Sequence, residues 1–275
     1  MNKIKIITDS TSYIDKDYAL EKDISIIPLS YTFEGETYKE GFTGEFDDFF
    51  ERLSKSKDFP VTSQPSTGDF LKEYEEALKK YDEIVVLTIS SKLSGTYNNA
   101  LLARSMSEED RIFVVDSKQA ASNLKILVED AIDMIESGKN REEIISHIVE
   151  KEKRMAIYFT VGTLEYLKRG GRLSAISSII GSVLNIKPII SFKDGELGLL
   201  EKTRGKNKAV KKIIETIPSD VKRIGVCHIL NYDEAVSLKE KLIEEFPKAL
   251  ITIDELGPIV GAHLGPETIG VCYSC

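Results

Sequence analysis

Four consecutive apolar residues, Ile84-Val85-Val86-Leu87, leave little choice of fold. A strand with one wet face alternates, whereas a β-branched run without alternation has to be covered on both faces, as in the centre of a sheet flanked by helices. Hydroxyls follow the run: Thr88, Ser90, Ser91, Ser94 and Thr96. Ser94-Gly95 then precedes a helical pattern through Tyr97, Ala100, Leu101 and Arg104, so Ser94 is expected as its N-cap, beside backbone N–H groups with no intrahelical partner. Such a corner suits an anion, though a serine there also serves simply as a cap.

The same unit recurs. Ile4-Lys5-Ile6-Ile7 runs into Thr8-Asp9-Ser10-Thr11, and residues 112–115 run into Asp116-Ser117, followed by a helical region over 119–137 that Gly138 can close. Repeated βα units predict a parallel sheet with helices on its faces, and ligands bind outside the carboxyl ends of such strands. Here those ends carry Thr8, Asp9, Ser10, Thr88, Ser90, Ser91, Asp116 and Ser117, which are expected to face one crevice. The first βα turn lacks G-x-G-x-x-G and no P-loop is present, which argues against nucleotide binding. Between the first two units lie an extended stretch at 25–33, a hairpin turning at Glu34-Gly35, and a helix with Phe46, Phe49, Phe50 and Leu53 on one face. A loop over 57–67 then leads to a capping box, Ser66 to Asp69, and a helix whose face runs from Phe70 to Tyr81.

Near residue 155 the pattern changes. A strand over 155–161 leads to a short helix broken by Gly170-Gly171, where the backbone passes close to something. A hairpin then turns at Lys193-Asp194-Gly195, followed by a basic helix from Lys206, strands at 223–227, 249–253 and 269–273, and a helix over 234–245. The expectation is an α/β protein of two domains with the ligand between them. Residues 1–155 form a parallel-sheet α/β domain with a hairpin and loop insertion at about 30–60, and residues 156–275 an α+β domain with a mixed or antiparallel sheet.

With 41% apolar residues in 275, the chain can bury the core that two domains need. A net charge of -8, spread along the sequence, disfavours nucleic acid as a partner. No window is long and apolar enough to span a membrane and no signal-peptide pattern opens the sequence, so a cytoplasmic protein with at most peripheral membrane contact is expected. Cys227, Cys272 and Cys275 are too few for a disulfide framework, and Cys272-x-x-Cys275 has no second pair with which to hold zinc. His147, His228 and His263 show no metal-ligand spacing. His263 falls in a segment over 255–266 whose glycines and prolines read as a loop of fixed course, where a satisfied core histidine and a site residue are both open.

Taken together, six segments resemble the DegV family of bacterial fatty-acid-binding proteins. They are Thr8-Asp9-Ser10-Thr11, Thr62-Ser63-Gln64-Pro65-Ser66, Ser90 through Tyr97 with its Ser94-Gly95-Thr96 core, Val115-Asp116-Ser117-Lys118, Leu167-Lys168-Arg169-Gly170-Gly171-Arg172, and Gly257 through Pro266. The resemblance spans nearly the whole chain in order. It implies one long-chain fatty acid, such as palmitate, stearate or oleate, held between two domains without a cofactor. It further implies a carboxylate bound by Thr62, Ser63 and Ser94 with His263 nearby, and a separate fatty acid kinase that phosphorylates the bound acid on the way into phospholipid metabolism. Arg169, Arg172 and Arg204 resemble arginines at the head group or the kinase-facing surface; solvated surface charge is the alternative for each.

Two departures from the family pattern stand out. Ser122-Asn123-Leu124-Lys125-Ile126 stands where the family shows glycines, which is expected to narrow the pocket, and Ala262 replaces a threonine beside His263. Burying an acyl tail is worth about 0.8 kcal/mol per methylene, roughly 10 kcal/mol gross for a long chain, while neutral hydroxyls and helix-start N–H groups satisfy the carboxylate. A rival reading is a Ser–His hydrolase with Ser94 as nucleophile, His263 as base and Asp9 or Asp116 orienting it, although Ser94 lacks a G-x-S-x-G elbow. A third is a lipid sensor that works without a kinase.

Overall fold

The computed structural model describes residues 2–173, 176 and 186–275. In chain order the elements are β1 (Ile4–Asp9), α1 (Lys16–Glu21), β2 (Ser25–Ile27), β3 (Ser30–Phe33), β4 (Glu36–Lys39), α2 (Asp47–Lys55), β5 (Val61–Ser63), α3 (Thr67–Ala77), β6 (Glu83–Thr88), α4 (Thr96–Ser107), β7 (Ile112–Asp116), α5 (Ala121–Glu136) and α6 (Arg141–Glu152). They continue with β8 (Met155–Thr160), α7 (Glu165–Arg169), β9 (Ile186–Lys193), β10 (Glu196–Arg204), α8 (Lys206–Glu215), β11 (Arg223–His228), α9 (Tyr232–Glu245), β12 (Leu250–Glu255), α10 (Pro258–Leu264) and β13 (Ile269–Ser274).

The run from Ile84 to Leu87 is the centre of a parallel sheet ordered β2-β1-β6-β7, and its four side chains are fully buried. Successive residues point to opposite faces. Ile84 and Val86 pack with Phe70, Tyr74, Ala100 and Ala103 of α3 and α4, while Val85 and Leu87 pack with Leu124, Leu127 and Val128 of α5. A strand of this composition is therefore covered on both sides, as the sequence requires.

The second large sheet runs β10-β9-β8-β13-β11-β12 and is antiparallel except for the β11–β12 pair. One face turns Val226, Val271, Ala156 and Ile189 toward α8 and α9. The other turns Ile157, Phe159, Phe192, Cys227 and Cys272 into the core shared with the first sheet. Helix α5 lies between the sheets and touches β1 and β6 of one and β8, β11 and β13 of the other. The β9–β10 turn has Asp194 at φ 54° and Gly195 at φ 81°, the left-handed pair of a tight hairpin.

Three local expectations are corrected. Residues 61–63 form a strand rather than loop, adding β5 to the edge of β3 in a small sheet ordered β4-β3-β5. Pro60 and Pro65 bracket the segment without removing its own N–H groups, and its polar composition reflects its largely exposed position. The glycine-rich segment around His263 is helical: Pro258 opens α10 at the first turn, where its missing N–H costs nothing. Its glycines are imposed by packing, since a Cβ on Gly257 would lie 2.8 Å from Phe46 and one on Gly261 would lie 2.9 Å from Phe50. Finally, Gly95 rather than Ser94 occupies the N-cap position of α4, and Ser94 meets the helix start only through a long bond from Thr96 N to its Oγ.

Candidate functional site

Between the two large sheets lies a cavity of about 120 Å3. Ile89 and Ala121 contribute to it from the first sheet and α5, and Ile157, Phe159, Phe192, Leu197, Cys227 and Cys272 from the second. Its polar groups are few: Thr62, Ser63, Gln64, Ser94, Arg172, His263 and Thr268. An apolar cavity with a small convergent polar set has the character of a ligand site.

Elements distant in sequence bring the polar set together. Thr62 sits on β5 and His263 on the last turn of α10, and Thr62 Oγ1 lies 2.8 Å from His263 Nε2. Ser94 precedes α4, its Oγ lies 2.8 Å from Thr96 Oγ1, and it accepts a bond from Thr96 N at 3.3 Å. The Thr62 and Ser94 loops are joined by Asn99, which donates to Pro65 O at 2.8 Å. Arg172 donates to Leu93 O at 3.0 Å and Gly170 O at 2.6 Å, so its guanidinium fastens the loop that carries Ser94. Ser63 lines the cavity but is exposed.

Burial pushes the His263 imidazolium down to about 4, with the nearby Arg172 charge adding to the effect, so the ring is neutral near pH 7. Its Nδ1 is buried and has no hydrogen-bond partner. The close backbone approach anticipated at Gly170 is to this ring: a Cβ on Gly170 would stand 2.1 Å from His263 Nδ1.

Other expected residues lie elsewhere. Arg169 of α7 pairs with Glu165 at 2.6 Å and stacks over Phe59, and Arg204 is the exposed last residue of β10; neither lines the cavity. The polar strand ends do not converge on a ligand crevice either. Asp9 accepts from Thr11 N and Ile89 N, Asp116 accepts from Ser91 N and Lys118 N, and Ser90 donates to Gly195 O. Those groups are spent on holding the loops that carry the site. The expected narrowing by residues 122–126 is not seen, because Ala120 and Ala121 form that part of the wall while Ser122 turns toward Asp254 and Leu124 packs in the core.

Among the described residues, no hydrogen bond joins Ser94 to His263, and none joins His263 to Asp9 or Asp116. The relay that a Ser–His hydrolase needs is therefore not assembled. Sequence reasoning also missed Glu40, a buried carboxylate that accepts from Ile259 N at the start of α10 and from Ser10 Oγ at 2.6 Å. Burial raises its pKa to about 7, and that of Asp9 to about 6. A single glutamate after a hairpin carries no local signal of such burial.

Two large sheets, a shared helix and an apolar cavity with a hydroxyl-rich rim define a protein of α/β class. The chain belongs to the DegV family, whose model, described as an uncharacterised protein family, matches residues 3–275. Protein DegV of Bacillus subtilis is 34% identical over 276 residues, covering 98% of each chain. The crystal structure of that organism's DegV, described as a fatty acid binding protein, superposes with a TM-score of 0.90 over 100% of this chain and 99% of that one. A Thermus thermophilus DegV family protein, described by its fatty acid binding, is 30% identical with a TM-score of 0.90, covering 99% of this chain and all of that one. A stearic acid-binding protein from Eubacterium ventriosum is 28% identical with a TM-score of 0.88, and 98% of each chain is covered. Among the described residues no helix is long and apolar enough to cross a membrane.

Proposed function

We propose that this protein binds one long-chain fatty acid in the intersheet cavity and presents its carboxylate to a separate fatty acid kinase. The observation that carries the reading is the cavity itself, whose wall is apolar except for hydroxyls, a neutral histidine, Gln64 and an Arg172 guanidinium engaged with Leu93 O and Gly170 O. A carboxylate seated between Thr62 and Ser94 accepts their hydroxyl protons. The Thr62–His263 contact supplies the arrangement: in the Nε2–H tautomer the ring donates to Thr62 Oγ1, which leaves the threonine proton free for the ligand. Ser63 at the exposed rim adds a third hydroxyl. Neutral donors hold the acid without neutralising it by a fixed ion pair, so a carboxylate oxygen stays available to a phosphoryl donor. ATP and metal belong to the partner, and this chain needs no cofactor of its own. Arg172 beside the rim, with exposed Arg169 and Arg204, offers positive charge to an acidic partner face.

Native mass spectrometry of the protein purified from a bacterial host, followed by denaturing extraction, tests the binding step. One fatty acid per chain is expected. A protein that stays lipid-free when offered saturated and unsaturated acids would overturn the reading. For presentation, the loaded protein with a fatty acid kinase and ATP should yield acyl phosphate, and bound acid that is not turned over would leave a carrier without that partner.

A further inference from the structure

Two thiols stand in the wall of the cavity, and the binding of a fatty acid uses neither. Cys227 of β11 and Cys272 of β13 are buried and free, with their Sγ atoms 3.3 Å apart. Sheet register brings them together. Cys227 lies opposite Gly270 and Cys272 opposite Gly225, so each thiol faces a residue without a side chain and the two lean toward each other across the diagonal. The pair in space is thus not the Cys272-x-x-Cys275 of the sequence, because three residues along a strand put Cys275 on the opposite face, against the other core.

Their surroundings are unequal. Ser122 of α5 donates its proton to Asp254 Oδ2 at 2.7 Å, so its oxygen, 3.0 Å from Cys227 Sγ, is left to accept the thiol proton. Asp254 is only half-buried on β12 and also accepts from Thr252. A proton therefore has a route from Cys227 through Ser122 to a carboxylate in reach of water. Burial holds the Cys272 thiol well above its ordinary range. The proton path through Ser122 assigns the attacking role to Cys227 and leaves Cys272 to resolve.

The pair also lies deep. Thr268, Gly270 and Cys272 line the cavity in turn along one face of β13 and its approach, and Thr268 bonds back to Leu264 O and Gly265 O beside His263. At about 3.3 Å per residue, Cys272 sits roughly 13 Å farther in than Thr268. An acyl chain whose head group rests at Thr62 and Ser94 brings its distal part to the thiols; the inference rests on that reading of the cavity.

We propose that Cys227 and Cys272 form a dithiol site that reduces the hydroperoxide of a peroxidised unsaturated fatty acid bound in the cavity. Cys227 Sγ attacks the distal oxygen of the hydroperoxide: an S–O bond forms and the O–O bond breaks. The thiol proton leaves through Ser122, and a proton is taken up by the lipid alkoxide, which becomes an alcohol. Cys272 Sγ then attacks the sulfenic acid on Cys227, an S–S bond forms, and the S–O bond breaks to release water. Two thiols are oxidised, one hydroperoxide is reduced, and a small external dithiol returns the disulfide.

The test uses the full-length, delipidated protein with one equivalent of a hydroperoxy-octadecadienoic acid, in parallel with hydrogen peroxide at the same concentration. One lipid alcohol per chain and a protein lighter by two hydrogens are expected, about tenfold faster than with hydrogen peroxide because the cavity delivers the lipid. Cys272→Ser should stop at a sulfenic acid on Cys227 that dimedone traps, and Cys227→Ser should form no product. Ser122→Ala should bind the acid equally well but react more slowly, with a steeper rise toward alkaline pH. A hydroperoxy acid that displaces a fluorescent acyl probe yet leaves both thiols reduced would overturn the inference and leave the binding reading intact. Equal rates with hydrogen peroxide would also overturn it. Failure to displace the probe would overturn the acyl reading itself.

Discussion

Replacing Gly170 with alanine sets two well-defined effects against each other. Gly170 has φ -70° and ψ -4°, an ordinary helical conformation that alanine adopts without strain. By backbone entropy alone the substitution should stabilise the protein by about 0.4–1 kcal/mol. Against this, the new methyl would stand 2.1 Å from His263 Nδ1 and 3.0 Å from Cε1, on a rigid ring packed inside the cavity wall. Relieving that overlap costs about 1–3 kcal/mol, and pushing the ring away from Thr62 forfeits about 1 kcal/mol more from their hydrogen bond. The net expectation is a loss of about 1–3 kcal/mol, with weaker fatty acid binding because the Thr62 proton is no longer directed. Urea denaturation of the lipid-free protein and displacement of a fluorescent acyl probe read the two effects. In a His263→Ala background the obstacle is gone, and Gly170→Ala should be neutral or stabilising, giving a coupling energy of about 1–3 kcal/mol. Equal costs in both backgrounds, or a stabilised single variant, would refute the contact as the reason for the glycine.

Ser94→Ala should weaken fatty acid binding by roughly tenfold to a hundredfold, the worth of one hydrogen bond to a charged acceptor. Its melting temperature should change little, because Ser94 gives the start of α4 only one long bond, at 3.3 Å from Thr96 N; a large thermal loss at unchanged affinity would make Ser94 structural. Thr62→Val, which removes the hydroxyl and keeps the shape, should match Ser94→Ala in a displacement assay, and full affinity would exclude it from the head-group site. Arg172→Ala frees Leu93 O and Gly170 O, so kinase-dependent turnover should fall more than lipid binding, and equal losses would place the guanidinium on the ligand itself. Glu40, raised from 4.5 to about 7, takes up protons in the folded state as pH falls through that range, so stability from this group rises on acidification. His263, lowered from 6.5 to about 4, acts in the opposite sense between those values, and the two trends oppose each other. Asp9, raised from 3.8 to about 6, acts in the same sense as Glu40, so Glu40→Gln should expose the His263 loss on acidification between about pH 6.5 and 6 and weaken the acid-side gain below that relative to the parent protein, measured by urea midpoints; parallel pH curves would disprove it.

The sequence revealed those features whose cause is local. Ile84 to Leu87 announced a doubly covered strand because burial on both faces demands exactly such a run, and Ser66 and Asp69 announced the cap of α3, which forms as a reciprocal pair. Around His263 the same reasoning failed, since Gly257 and Gly261 answer to Phe46 and Phe50 from another part of the chain rather than to a turn. Edge pairing hid β5, whose three residues carry no periodicity that a window can register. The Ser94 corner was legible from its hydroxyl run and helix start and the Thr62 segment from resemblance, but their joining through Asn99 and the link to α10 needed coordinates. Glu40 and the Cys227–Cys272 approach were invisible because both depend on segments distant in sequence, Glu40 on the start of α10 and the cysteines on the register of β11 against β13.

Helix α5 belongs by order to the first sheet, yet it seals one face of the second as well. A segment with two such duties opens only when both sheets lose their cover, so its central amides should exchange with solvent at the rate of global unfolding. Breathing of the cavity then has to come from the peripheral pieces around it, the β9–β10 hairpin and α10, while the floor against which they move stays rigid.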